Sequence, residues 1–105
     1  MKDNIAPSVV STYPENGEEN VPVSASITVT FSERMSRTAT QSAFSVFPDV
    51  DGEFSWNENT LIFTPAEKLM PETVYGVTIR EEAMDLAWNS IGENYIWYFF
   101  TGAPL

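Results

Sequence analysis

The chain has 105 residues, 43% of them apolar and 13% aromatic, with fifteen Asp and Glu against five Lys and Arg for a formal charge of −10. That length is one domain able to bury roughly two thirds of its unfolded surface, and the apolar content excludes a disordered acidic segment. The charge opposes contact with nucleic acid and with anionic lipid, since both want Lys or Arg against phosphate. Cysteine and histidine are absent, which removes disulfides, thiolate metal sites and the usual general base. Met1 to Asn4 open directly into a polar lead with no apolar h-region, and no run is long enough to span a membrane. An exported parent protein would therefore make this chain a piece of something longer.

The apolar pattern repeats every second residue in short runs closed by Pro, Gly, Asn and Asp, which predicts an all-β antiparallel domain. Residues 1–6 are read as a lead. Val9 to Tyr13 is the first strand, stopped by Pro14, and Glu15 to Asn20 is an acidic loop with an Asn16-Gly17 turn. Ser26 to Ser32 alternates Ile27, Val29 and Phe31 with Thr28, Thr30 and Ser32, a strand with one wet face. Ser36 to Ala43 lacks that alternation and predicts one or two helical turns, with Ser36 as cap and Met35 or Phe44 as anchor. Phe44 to Pro48 is a strand, and Asp51-Gly52 predicts a hairpin turn into Glu53 to Asn57. Asn57 to Asn59 turns the chain into Thr60 to Thr64. Pro65 to Glu72 is long enough to cross between sheets, anchored by Leu69. Thr73 to Arg80 is a strand, Glu81 to Glu93 a polar loop, and Asn94 to Thr101 the last strand, before a linker at 103–105. About seven strands in roughly a hundred residues predict an immunoglobulin-like antiparallel β-sandwich with one short helical turn, the body being 7–102.

Residues from Ala6 to Gly17, Val21-Pro22-Val23, Ile27 to Met35, Phe63-Thr64-Pro65, Leu69 to Tyr75 and Trp97 to Gly102 together resemble, in order and spacing, the bacterial Ig-like modules of the SbsA or Big_5 type. The resemblance covers nearly the whole chain. It implies a non-catalytic structural or spacer module, often in tandem, of an exported or cell-surface protein, with neighbouring modules as partners. It also implies that Tyr95, Trp97 and Phe99 form the inward row of the last strand. Two departures stand out. Ile96, Tyr98 and Phe100 are large where the family has small or polar residues. Trp88 stands in Asp85-Leu86-Ala87-Trp88-Asn89 where the family has Gly, a residue suited to tight turns because it has no Cβ.

Catalysis has little footing, because no His is present to activate a Ser or Thr, and Lys2 and Lys68 fall in the lead and a loop. Calcium is the cofactor to weigh, with Asp49, Asp51 and Glu53 as one candidate group and Asp85 with Asn89 as another, since hard cations take oxygen ligands. The competing readings are hairpin chemistry at Asp51-Gly52 and an Asx turn at Asp85. Candidate binding residues are Ile96, Tyr98, Phe100 and Trp88. The outer row, with Phe47 and Val74 on adjacent strands, docks a protein or the next module, or else is covered by the module's own loops. Trp88 with Asp85, Asn89 and Tyr98 is the constellation for a glycan; otherwise Trp88 folds back to seal one end of the sandwich.

Overall fold

The computed structural model describes residues 5–103, so the lead up to Asn4 and the final two linker residues lie outside the described part. The alternating segments form β1 (Val9–Tyr13), β2 (Ile27–Phe31), β3 (Phe44–Phe47), β4 (Gly52–Asn57), β5 (Thr60–Pro65), β6 (Val74–Ile79) and β7 (Tyr95–Phe100), with one helix, α1 (Arg37–Ala43). They build two antiparallel sheets, ordered β1-β2-β5-β4 and β3-β6-β7. The protein is an all-β sandwich of the immunoglobulin-like kind.

Period two decides what is inside. Ile27, Val29, Phe31, Leu61 and Phe63 from the larger sheet meet Val46, Tyr75, Val77, Ile79, Trp97 and Phe99 from the smaller, all buried in one core. Within it the Tyr75 and Phe99 rings stack at 5.6 Å, and Phe44, Phe54 and Phe63 pack mutually at 5.2–5.4 Å. The larger sheet shows threonine on its outer face, where Thr30 and Thr60 hydroxyls bond across β2 and β5 at 2.9 Å. The two outer faces of the sandwich thus differ in kind.

Connections close its two ends. Ser36 caps α1 by accepting from the Ala39 N–H, and Met35 and Phe44 on either side are both buried, as anchors. Trp56 Nε1 donates to Gln41 Oε1 at 2.8 Å, which ties the helix to β4. Leu69, 4% exposed, pins the crossing from β5 to β6. Thr101 Oγ1 accepts from the Thr73 N–H at 2.8 Å and donates to the Met70 carbonyl at 2.6 Å, which knots the C-terminal strand to that crossing. Segment 17–21 runs along the outer edge of β7: Gly17 N–H donates to the Tyr98 carbonyl at 2.6 Å, Val21 N–H to that of Phe100 at 3.0 Å, and Phe100 N–H to the Glu18 carbonyl at 2.9 Å.

The described part of the chain begins and finishes at opposite ends of this body. The Ser8 carbonyl accepts from Ser32 N–H, just past β2, and Met35 bridges Asp85 in the loop that precedes β7. At the other end Glu72 N–H donates to the Gly102 carbonyl. The Cα extents are 51 × 22 × 19 Å, so the chain comes in at one end of an elongated body and leaves at the other.

Two sequence expectations change. Asp51-Gly52 is not a hairpin turn: β3 and β4 belong to different sheets, so residues 48–51 cross between them. Gly52 serves a close approach instead, because a Cβ there would stand 2.4 Å from the Thr64 carbonyl oxygen and 2.7 Å from the Phe63 ring. Tyr95 is not core. It opens β7 at the sheet's end, 39% exposed, with its ring edge-on to Trp97 at 5.7 Å, and only Trp97 and Phe99 of that row are buried. Gly52→Ala should therefore lower unfolding free energy by about 1–3 kcal/mol through overpacking against backbone, measurable by urea denaturation with an unchanged m-value.

Candidate functional site

The chemistry-bearing candidates fall in three places. The first is the outer face of β3-β6-β7. Register aligns Phe47 with Gly76 and Gly76 with Tyr98, Val74 with Phe100, and Thr78 with Ile96. Phe47 is 76% exposed, Ile96 and Tyr98 are half exposed, and Val74 and Phe100 are exposed too. No loop folds over them. The tyrosine ring lies across the space above Gly76, where a Cβ would meet its Cε1 at 2.9 Å. The row is one contiguous apolar face, with Phe47 and Val74 joining it as the sequence pattern suggests.

The second place is the loop from Asp85 to Asn89, beyond the N-terminal end of β7. Asp85 is fully buried, and its Oδ1 accepts from the N–H groups of Ala87 and Asn89, both at 2.8 Å, while Oδ2 accepts from Asn89 Nδ2 at 3.1 Å. Asp85 N–H donates to the Asn89 carbonyl at 3.0 Å, and Trp88 N–H to the Asp85 carbonyl at 3.2 Å. Burial opposes charge on this carboxyl. The Asn89 N–H and side-chain amide, the Glu33 side chain and the Ala87 N–H outweigh it and hold the carboxyl below its ordinary value.

The staple throws two apolar side chains outward. Leu86 is 64% exposed and Trp88 82%, so Trp88 does not fold back to seal the end. Its backbone stands at φ +69°, the left-handed region that favours Gly. The loop thus carries an indole on a backbone conformation that ordinarily favours glycine.

The third place is a depression of about 300 Å³ at the C-terminal end, lined by Asp49, Val50, Asp51, Glu67, Met70 and the buried Tyr75 among others. Met70 N–H donates to the Tyr75 hydroxyl at 2.9 Å, and Met70's side chain is half exposed. Sequence reasoning missed this feature, because it needs the β3–β4 and β5–β6 crossings to meet.

The metal candidates separate. Asp49 and Asp51 line the depression, whereas Glu53 stands on β4 opposite Thr64. No group of three or more His, Cys, Asp or Glu among the described residues is arranged to hold a metal. Asp85 and Asn89 do come together, with the carboxylate oxygens turned to N–H donors. The glycan constellation is not assembled: Tyr98 stands mid-strand on the sheet face, Trp88 on the loop, and Asp85 in the interior. Leu86, an apolar point in the polar loop 81–93, is a further exposed residue that the sequence pattern does not single out as a site.

Residues 3–101 match the Big_5 bacterial Ig-like domain. The chain belongs to that family. The comparison with curated proteins gives no match. Among solved structures, L,D-transpeptidase 1 of Mycobacterium tuberculosis is similar with a TM-score of 0.63 and 26% identity, over 91% of this chain and 39% of the transpeptidase. An L,D-transpeptidase from Mycobacterium smegmatis gives 0.66 and 20%, over 91% and 40%. PcoC, a methionine-rich copper resistance protein from Escherichia coli, gives 0.67 and 15%, over 92% of this chain and 99% of PcoC. This Big_5 chain thus spans about two fifths of the length of those transpeptidases, and the likenesses under 25% identity speak to fold alone.

Two outcomes follow from the loop. Trp88→Gly should raise stability by about 0.5–1 kcal/mol, the relief of left-handed strain less the glycine's entropy cost, read as a melting temperature higher by about 2–5 °C. Because the folded Asp85 carboxyl keeps its charge to lower pH than the unfolded chain's, near 3.9, its stabilisation is complete above that value. It fades as pH falls through the folded value. Asp85→Asn should therefore melt lower than wild type at pH 7, with the gap closing toward pH 2 in a melting series.

Proposed function

We propose that this Big_5 domain is a non-catalytic spacer module of a longer exported or cell-surface bacterial protein. The observation that carries the reading is polarity: the chain comes in and leaves at opposite ends of a body 51 Å long, so linked modules extend instead of folding back. Family membership supports the class, and coverage of about two fifths of the transpeptidases supports a place as one part of a larger chain. The partners of this reading are the neighbouring modules. Acidic surface keeps such rods soluble and mutually repelling.

Transpeptidation and copper handling, named for the similar structures, do not carry over. The domain has no Cys to serve as a nucleophile and no His to serve as base or ligand. Calcium at Asp49 and Asp51, or at Asp85 and Asn89, has a weaker footing than the spacer role. No helix among the described residues is long and apolar enough to cross a membrane.

A second reading has its own observation, the uncovered face of Phe47, Val74, Ile96, Tyr98 and Phe100. A contiguous apolar patch on one sheet suits docking of a protein surface, and its flat aromatics also suit a glycan.

The spacer reading is tested by joining two copies through their native termini and measuring small-angle X-ray scattering. The expected maximum dimension is about twice the single-module length; a folded-back, compact pair overturns the reading. For the second reading, Tyr98→Ser should leave the melting temperature within about 2–3 °C of wild type, since it is a half-exposed surface position, and weaken partner capture. A large fall in melting temperature would instead mark Tyr98 as structural.

A further inference from the structure

The hydrogen bonds that lay segment 17–21 along β7 also hold a reactive dipeptide. Asparagine is a thermolabile residue, and Asn16 is the one asparagine of this chain that precedes a glycine. With no Cβ on Gly17, its backbone nitrogen has an unobstructed approach to the Asn16 side-chain carbonyl. Both residues are exposed, so water reaches them.

Geometry decides whether the pair reacts. Glu18 N–H donates to the Glu15 carbonyl at 3.0 Å, so Asn16 and Gly17 are the central residues of a turn, and Gly17 at φ +81° has the value that a type II turn requires there. Such a turn sets ψ of its first central residue near about +120°, which faces the Gly17 nitrogen away from the Asn16 side chain. Three bonds hold that arrangement. Gly17 N–H donates to the Tyr98 carbonyl at 2.6 Å, Asn16 Oδ1 accepts from Tyr98 N–H at 3.2 Å, and Glu18 Oε1 accepts from Glu15 N–H at 2.9 Å. Nucleophile and electrophile are thus tied to the same residue of β7. Glu15, Glu18 and Glu19 flank the pair and oppose the amide anion that attack requires.

We propose that Asn16 is a self-modification site gated by the edge of β7, closed while segment 17–21 is paired and reactive when that segment lifts. In the open state hydroxide takes the Gly17 amide proton, the nitrogen attacks Asn16 Cγ, and the side-chain nitrogen leaves as ammonia with a proton from water. The five-membered succinimide is then opened by water at either carbonyl, to aspartate or to isoaspartate. Overall one water is consumed and one ammonia released. The two products differ in consequence. Aspartate keeps an acceptor for Tyr98 N–H on an unaltered main chain. Isoaspartate routes the main chain through the former side chain, one methylene longer, so Gly17, Glu18 and Val21 fall out of step with Tyr98 and Phe100. A brief opening is thereby converted into a lasting one.

The test ages the domain at mildly alkaline pH, folded in buffer and unfolded in urea, and maps amide-to-acid conversion by mass spectrometry of its peptides. Asn16 should convert ahead of every other asparagine in the unfolded chain, and slower by roughly tenfold or more in the folded one, since opening breaks several hydrogen bonds. Asp51-Gly52 can close a similar ring, but it returns to an acid of the same mass and leaves the reading clear. Glu18→Ala removes the bond to Glu15 N–H and should speed the folded reaction by about two- to tenfold, the worth of one hydrogen bond. Val29→Ala, in the core of the other sheet, lowers global stability and should leave the rate as it is. The isoaspartate form, separated by chromatography, should exchange its Tyr98 and Phe100 amide protons faster than wild type, whereas Asn16→Asp should exchange them as wild type does. Conversion as fast folded as unfolded, conversion led by another asparagine, or an isoaspartate form with wild-type exchange at Tyr98 and Phe100 overturns the proposal. So does a rate untouched by Glu18→Ala but raised by Val29→Ala, which would make global unfolding the gate.

Discussion

Burial of Trp97 and Phe99 is the constraint that orders the rest. Their rings fill the space between the sheets, where Trp97 Nε1 also donates to the Pro14 carbonyl at 2.9 Å and so ties β7 to the turn after β1. A strand has only two faces. Once those two residues point inward, Ile96, Tyr98 and Phe100 have no place but the outside. The apolar outer face is therefore a consequence of packing the core with this strand combined with a sequence that put large residues at both sets of positions. The fold alone requires nothing of the outer set, as the threonine face of the larger sheet shows.

The loop before β7 follows a different logic. Its shape is held by one buried carboxylate that gathers N–H groups from Ala87 and Asn89, and charge-assisted bonds of this kind are strong where water is excluded. With the backbone fixed from inside, the residues that project outward can change without changing the path. Trp88 stands at such a position: its left-handed backbone lies within the turn that the Asp85 carboxylate holds.

Much of the fold was legible because it rests on local periodicity. The alternation in Ile27–Phe31 and Val74–Ile79, the Ser36 cap and the Leu69 anchor each signal their place within a few residues. What was not legible depends on partners remote in sequence. Asp51-Gly52 has the chemistry of a hairpin turn, but whether β3 and β4 pair is decided by which sheet each joins, and that is settled by β6 and β5. Tyr95 shares the parity of Trp97 and Phe99, yet burial also needs something opposite it, and at the end of the sheet the facing layer has run out. Tryptophan is buried on average, yet Trp88 stands 82% exposed at the tip of its loop, and nothing in the local pattern signals that. The outer row was readable as an anomaly of parity; the hollow at the other end was not readable at all, since two distant crossings make it.

The backbone bonds from segment 17–21 to the edge of β7 have a further consequence. Tyr-Ile-Trp-Tyr-Phe-Phe is uncharged, rich in strand-forming residues and free of proline, the composition of a segment prone to stack into cross-β fibrils if its edge is bare. Here the outer edge is taken up by Gly17, Glu18 and Val21 and the inner edge by β6, so neither side can template another chain. The acidic loop thus acts as a guard strip, and it is what allows so sticky a strand to show its side chains to solvent in a protein that stays folded.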